Sequence, residues 1–230
     1  MKAACNVEIL EIHGMGSVIY LTLTWDSDNL VLIDAGFPGQ TDSILQAIAA
    51  AGFSAEQLTH IIITHQDMDH IGCVMDLLKF APSAQVMAHI DEAPYIDGRK
   101  TPIKLAAKLD SYDSLPEDQK EWFDMIKEGY ANRKIKISKT LSDGEVLPVC
   151  DGIEVIHTPG HTPGHICLFL KESGVLVSGD AVNISDGKPS GPNPQHTFDM
   201  ELGLRSMEKA MKYPVKAMVA YHCGYLKIKG

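Results

Sequence analysis

The sequence predicts an α/β fold in which helices pack outside two facing sheets, on three observations. Apolar, β-branched runs of strand length recur in both halves of the chain. Each half also carries stretches of helical amphipathicity. Four of the strand-like runs end in His or Asp, which places polar chemistry where loops leave a sheet. With 230 residues, 45% of them apolar and 22% charged, the chain has the composition of a globular protein able to bury its own core.

The elements follow in order. Residues 7–12, 17–25 and 30–34 read as strands, parted by Gly14, Gly16 and the turn cluster Asp26-Ser27-Asp28-Asn29. Gly36, Pro38 and Gly39 break the chain before an amphipathic helix over 41–52, with Ile44, Leu45 and Ile48 on one face. Residues 60–64 are almost wholly apolar, the pattern of a strand covered on both faces. A helix over 71–80 and a strand over 85–89 come next. Between about 94 and 133 strand signals give way to charged helical stretches at 103–109 and 117–129. These are too short to bury a core of their own and read as a helical insertion in a single domain spanning 1–230. Strands resume at 134–138, 145–147, 153–157, 165–170 and 175–178. A Gly/Pro-rich loop over 183–195 leads to a helix over 200–212 and a last strand at 217–220.

Charge and composition exclude several classes. The net charge is −10 with no Lys/Arg run, which rules against a nucleic-acid backbone as partner. No apolar segment is long enough to span a bilayer, so no membrane partner is expected, and the N-terminal apolar stretch is interrupted by Glu8 and Glu11, unlike a signal peptide. Five cysteines, odd in number and never spaced CxxC, argue against a disulfide framework. The expectation is a cytoplasmic protein; the oligomeric state is left open.

Four motifs carry chemistry. In Thr64-His65-Gln66-Asp67-Met68-Asp69-His70, four candidate metal ligands fall directly after a buried strand. Alternation lets His65, Asp67 and Asp69 splay around one centre while His70 reaches a second. In the run from His157 to His165, two Pro-Gly pairs form tight turns that present His161 on a rigid loop. His157 and His165 sit at strand boundaries and read as packing or supporting groups. Ser178-Gly179-Asp180 and Tyr221-His222-Cys223-Gly224 each end an apolar strand in a further candidate ligand. Either would be unremarkable alone, since Asp after a strand is commonly a turn former. Together, four strand ends delivering ligands make coincidence hard to sustain.

The order HxDxDH, GHTPGH, SGD and a late His-x-Gly resembles the metallo-β-lactamase superfamily over nearly the whole chain, starting from Val31-Leu32-Ile33-Asp34-Ala35-Gly36. The resemblance implies a four-layer αβ/βα sandwich. It implies two divalent metal ions, zinc first, with His65, Asp67 and His161 on one, Asp69, His70 and His222 on the other, and Asp180 bridging. A bridging hydroxide would be the nucleophile and Asp69 the catalytic proton carrier. Asp34 would orient the 65–70 loop, and His196, Tyr221 and Tyr225 would line the pocket. The substrates implied are carboxylic esters, thioesters or lactones, ahead of β-lactams and phosphodiesters. A glutathione thioester ranks lower, because the glyoxalase II type usually carries a further C-terminal substrate domain.

One departure stands out. The family's first motif is usually HxHxDH, and here Asp67 replaces the second His. A further carboxylate makes a two-ion site formally neutral and favours harder ions, so iron or manganese becomes an alternative to zinc. Asp67 also raises a reading of a different class. Flavodiiron oxygen and nitric oxide reductases carry a carboxylate at this position, though the sequence offers no flavodoxin partner domain. The aromatics of the insertion, Tyr95, Tyr112, Trp122, Phe123 and Tyr130, could cap the metals or simply anchor the insertion; the sequence supports both equally.

Overall fold

The computed structural model describes residues 2–4, 6–14, 16–109, 112–132 and 134–228. Its first half contains β1 (Lys2–Ala4), β2 (Val7–Gly14), β3 (Ser17–Trp25), β4 (Leu30–Ile33), α1 (Thr41–Ala50), β5 (His60–Ile63), α2 (Met68–Ile71), α3 (Val74–Phe80) and β6 (Gln85–His89). The helices α4 (Ala93–Ile96), α5 (Ile103–Leu109) and α6 (Glu117–Asn132) lead to β7 (Lys139–Leu141). These seven strands form one sheet in sequence order, antiparallel from β1 to β4 and parallel from β4 to β7.

The second half contains β8 (Val146–Leu147), β9 (Ile153–His157), β10 (Ile166–Leu170), β11 (Val175–Val177), the hairpin β12 (Asn183–Ser185) and β13 (Lys188–Ser190), α7 (Met200–Ala210), β14 (Ala217–Ala220) and β15 (Gly224–Lys227). Its main sheet runs β15-β14-β11-β10-β9-β8, with β11 and β14 parallel.

Period-two alternation sorts the apolar side chains into three layers. On β4, Leu30 and Leu32 face α1 and α3, while Val31 and Ile33 face the second sheet; on β5, Ile61 and Ile63 divide from Ile62 in the same way. On β10, Ile166, Leu168 and Leu170 point between the sheets, and Cys167 and Phe169 point out towards α7. Three apolar interfaces therefore separate helix, sheet, sheet and helix, giving the four-layer sandwich expected.

Several boundaries differ from expectation. The 134–138 strand is not one: Ile135 and Ile137 alternate because they pack against the first core cluster. Pairing begins only where Ser138 N–H donates to Val86 O at 2.8 Å, ahead of β7. The helix over 71–80 is split at Gly72, where a Cβ would lie 2.3 Å from Pro38 N; the 36–38 turn crosses against the helix there, and only glycine leaves room. The 183–195 loop contains a hairpin turned by Asp186 and Gly187, both at positive φ (50° and 69°), a type I′ signature that the Asp-Gly pair carries in the sequence. β15 was not anticipated because it follows β14 directly after the Tyr221–Cys223 turn.

Candidate metal centre

Every candidate ligand stands just beyond the C-terminal end of a strand, or on the loop joining two. His65 to His70 follow β5, His161 lies between β9 and β10, Asp180 follows β11 and His222 follows β14. The two parallel sets, β4–β7 and β11–β14, point these ends to the same edge of the sandwich, where loops from both sheets meet.

All seven side chains come together there. Asp67 Oδ2 lies 3.3 Å from His65 Nε2 and 3.1 Å from His161 Nε2. Asp69 Oδ2 lies 3.6 Å from His70 Nε2 and 3.3 Å from His222 Nε2. Asp180 stands between the two sets: its Oδ2 is 3.4 Å from His161 Nε2, and its Oδ1 is 3.5 Å from His70 Nε2 and 3.4 Å from His222 Nε2. Ligand atoms of His65, His161 and Asp180 all lie within 4.8 Å of one another, as do those of Asp69, His70 and His222.

Surrounding residues decide which atoms face inward. Asp34 accepts from Thr64 N–H and the Thr64 hydroxyl, each at 2.8 Å, and from His70 Nδ1 at 2.8 Å. Thr64 Oγ1 lies 3.1 Å from His65 Nδ1, so the Nδ1–H of each imidazole is engaged behind the loop and each Nε2 lone pair points to the cluster. His165 Nε2 accepts from Asp180 N–H at 3.0 Å and its Nδ1 lies 2.9 Å from Thr158 Oγ1, so it supports Asp180 from behind. Tyr221 stacks on His70 with centroids 3.8 Å apart and donates its hydroxyl to Asp69 O, lying buried beneath the ligands. Tyr225 packs against the core between the sheets. His196 lines the pocket.

Two contributors, Glu92 and Lys104, gave no signal in the sequence. Glu92 is wholly buried and accepts from Gln66 N–H, the Gln66 amide and Gly164 N–H at 2.8–2.9 Å, tying the 65–70 loop to the 158–165 loop. Gln66 is further held by Ile103 N–H and the Tyr130 hydroxyl, so α5 and α6 are fixed to the ligand loop. Phe123 is 1% exposed, and with Tyr130 it anchors these helices; the Trp122 side chain lies outside the described residues. Lys104, on α5, forms an ion pair with Asp67.

The electrostatics suit cations. Burial raises the carboxyl groups of Asp67 and Asp180, yet neighbouring charge outweighs it: His65, His161 and Lys104 hold Asp67, and His70, His222 and His161 hold Asp180, well below the ordinary carboxylate range. Burial lowers His222, but the Asp180 and Asp69 carboxylates beside it lift it to about 9. His65, buried beside His70, is pushed down to about 4.

Whether the residues fit metal ions can be tested on their unsatisfied atoms. His65 Nε2, His70 Nε2 and Asp180 Oδ1 are buried and make no hydrogen bond among the described residues. Three polar atoms orphaned in one cluster would be costly unless a cation satisfied them. A third group, His89, Asp91 and His157, is unlike it. There the two rings lie nearly parallel, 12° apart at 4.1 Å, so no ion could sit in the plane of both. Beside the main cluster opens a cavity of about 340 Å³ lined by Asp180, Asn183, Asn193, His196, His222 and Cys223.

Comparison with known proteins decides the family. Residues 14–222 match the model of the metallo-beta-lactamase superfamily. The chain belongs to this superfamily. A probable metallo-hydrolase of Bacillus subtilis, YflN, is 30% identical over 92% of this chain and 83% of its own length. A hydroxyacylglutathione hydrolase of Haemophilus influenzae, GloC, is 26% identical over 77% of this chain and 72% of its own length. The metallo-beta-lactamase family protein TTHA1429 of Thermus thermophilus superposes with a TM-score of 0.76 at 21% identity, over 97% of this chain and 75% of its own, which bears on the fold. Superfamily membership makes the chain a metal-dependent hydrolase with a four-layer fold. No helix among the described residues is long and apolar enough to cross a membrane.

Proposed function

We propose that this superfamily member hydrolyses carboxylic ester, thioester or lactone bonds of a small molecule at a site for two metal ions. The observation that carries the proposal is the set of orphaned buried atoms, His65 Nε2, His70 Nε2 and Asp180 Oδ1, aimed from the loops after β5 and β11 into one cluster. His65, Asp67 and His161 would hold one ion, Asp69, His70 and His222 the other, and Asp180 would contact both. Bound there, divalent ions supply Lewis acidity and a water acidified enough to act as nucleophile.

The chain's own groups do the rest. Asp69, whose Oδ2 lies 3.3 Å from His222 Nε2, would take a proton from the attacking water and carry it to the leaving group. Tyr221 fixes the Asp69 backbone, and Asp34 and Thr64 fix the imidazole tautomers. Asn183, Asn193 and His196 offer a polar pocket wall for the acyl or leaving group. The relative named as a hydroxyacylglutathione hydrolase supports putting thioesters first in the panel. Zinc is the first choice of metal; Asp67 favours iron or manganese relative to an all-His group.

The experiment is a hydrolysis panel of esters, thioesters, lactones, a β-lactam and a phosphodiester, run on protein whose metal content is measured. Asp180→Ala should lose activity by about 100-fold or more, judged against the 10- to 100-fold effects of residues that only support ligands. Hydrolysis by Asp180→Ala at the wild-type rate, or none by metal-loaded wild type on any ester, thioester or lactone, would discard the proposal.

A further inference from the structure

One of the two ligand groups already contains a cation supplied by the chain. The Lys104 ammonium forms an ion pair with Asp67 Oδ2 and lies 3.0 Å from His161 Nε2. Those are two of the three side chains assigned above to one ion, so the inference rests on that assignment. Asp67 Oδ2 is also the atom that lies 3.3 Å from His65 Nε2 and 3.1 Å from His161 Nε2. Ammonium, carboxylate and two imidazoles therefore converge on one point. At the other group no lysine or arginine is paired among the described residues: Asp69 meets His70 and His222, and Asp180 meets those two and His161.

The placement of Lys104 is built into the fold. Ile103 N–H, one residue earlier, donates to Gln66 Oε1 at 2.9 Å, and Leu105, one residue later, is buried. Gln66 is itself pinned by Glu92. The start of α5 is thus tied to the loop that carries His65 and Asp67, and the Lys104 side chain, 35% exposed, reaches in from the open side.

His161 Nε2 has one lone pair, and it cannot serve an ammonium and a metal ion at once. We propose that Lys104 is the resident cation of the His65–Asp67–His161 group, so that a metal ion enters there only by displacing it. The two groups then load in sequence: the Asp69–His70–His222 group fills at low free metal, and the lysine-occupied group fills only at higher concentration. Asp67 and Lys104 act as a matched pair, since a neutral imidazole at position 67 would give the ammonium no anion to hold it.

The test is a Zn²⁺ titration of the metal-free full-length chain, by calorimetry and by competition with a chromophoric chelator. Wild type is compared with Lys104→Met, Lys104→Gln and Asp180→Ala, with circular dichroism confirming that each is folded. Wild type should take one equivalent tightly and a second more weakly. In both Lys104 variants the weaker step should tighten by about tenfold or more, because a unit charge a few ångströms from the ion is gone, while the tight step stays unchanged. An unchanged weaker step in both variants overturns the proposal, as does wild type that binds both equivalents equally tightly. If Asp180→Ala binds two equivalents as tightly as wild type, the ligand assignment itself falls, a failure separate from that of Lys104.

Discussion

Asp34 Oδ2 accepts a 2.8 Å hydrogen bond from His70 Nδ1, and this contact decides which imidazole nitrogen faces the ligand cluster. A carboxylate can only accept, so the proton sits on Nδ1 and the lone pair on Nε2. Asp34 holds this position at φ 62°, a left-handed conformation uncommon for a residue with a side chain, at the turn directly after β4.

Asp34→Ala should therefore weaken metal retention without unfolding the protein. Removing such an outer partner of a metal-bound histidine costs about 10- to 100-fold in affinity. Metal content after exhaustive dialysis, measured by mass spectrometry, should fall well below wild type while the circular dichroism spectrum is kept. Wild-type metal retention would show that the tautomer of His70 is set by something other than Asp34.

Glu92→Gln tests the strut between the two ligand loops. Its carboxylate oxygens accept from the N–H groups of Gln66 and Gly164, so an amide must turn an N–H₂ towards one of them. Leaving buried donors unmatched costs about 1–3 kcal/mol, which should appear as a lower denaturation midpoint in urea at unchanged slope. An equal midpoint would mean that the loops are held together without Glu92.

How much of this was legible in the sequence depends on distance along the chain. Two facing sheets with helices outside followed from strand-like and helical runs recurring in both halves, and the four-layer sandwich from the family resemblance; the all-apolar run Leu30-Val31-Leu32-Ile33 fits a strand covered on both faces. The candidate ligands were visible because each ends a strand, and a strand end has a known place in a sheet. Glu92 and Lys104 were not visible. Each reaches the site through a contact 26 or 37 residues distant, with Gln66 and Asp67, and nothing near either residue distinguishes it from a solvated charge. The 134–138 segment was misread for a related reason: Ile135 and Ile137 alternate to fill a core, and periodicity alone cannot tell packing from pairing.

Asp26 supplies a pH-dependent tie between the halves of the sandwich. Slight burial raises its carboxyl, but hydrogen bonds from Asp28 N–H, the Asn29 side chain and Cys150 N–H outweigh that and hold it below its usual 3.8. A depressed carboxyl contributes stability above its unfolded pKa and loses it as pH falls through the folded value. Asp26→Asn should then melt below wild type at pH 5–7, and the gap between the two melting temperatures should close as pH falls below the ordinary carboxylate value of 3.8. A gap that stays constant across this range would assign the effect to shape rather than charge.

Gly179 is the residue on which the geometry of Asp180 turns, and it can be separated from ordinary backbone strain. It sits at φ 49°, and a Cβ there would fall 2.6 Å from His165 Nε2 and 3.1 Å from Thr64 Oγ1. His165 Nε2 is the atom that accepts from Asp180 N–H, and Thr64 Oγ1 is the atom that bonds Asp34. A methyl group at 179 would push on both supports of the ligand cluster at once. Gly187 offers the control: it has φ 69° and nothing within 4 Å of its would-be Cβ. Alanine at either position bears the left-handed backbone cost of about 1–3 kcal/mol. Only Gly179→Ala should also displace His165 and with it Asp180. Both variants should therefore melt below wild type, but Gly187→Ala should keep its metal and its hydrolytic rate while Gly179→Ala loses both. Equal metal content in the two would mean that the cluster can move with its supports and is less rigidly placed than the contacts around Asp180 imply.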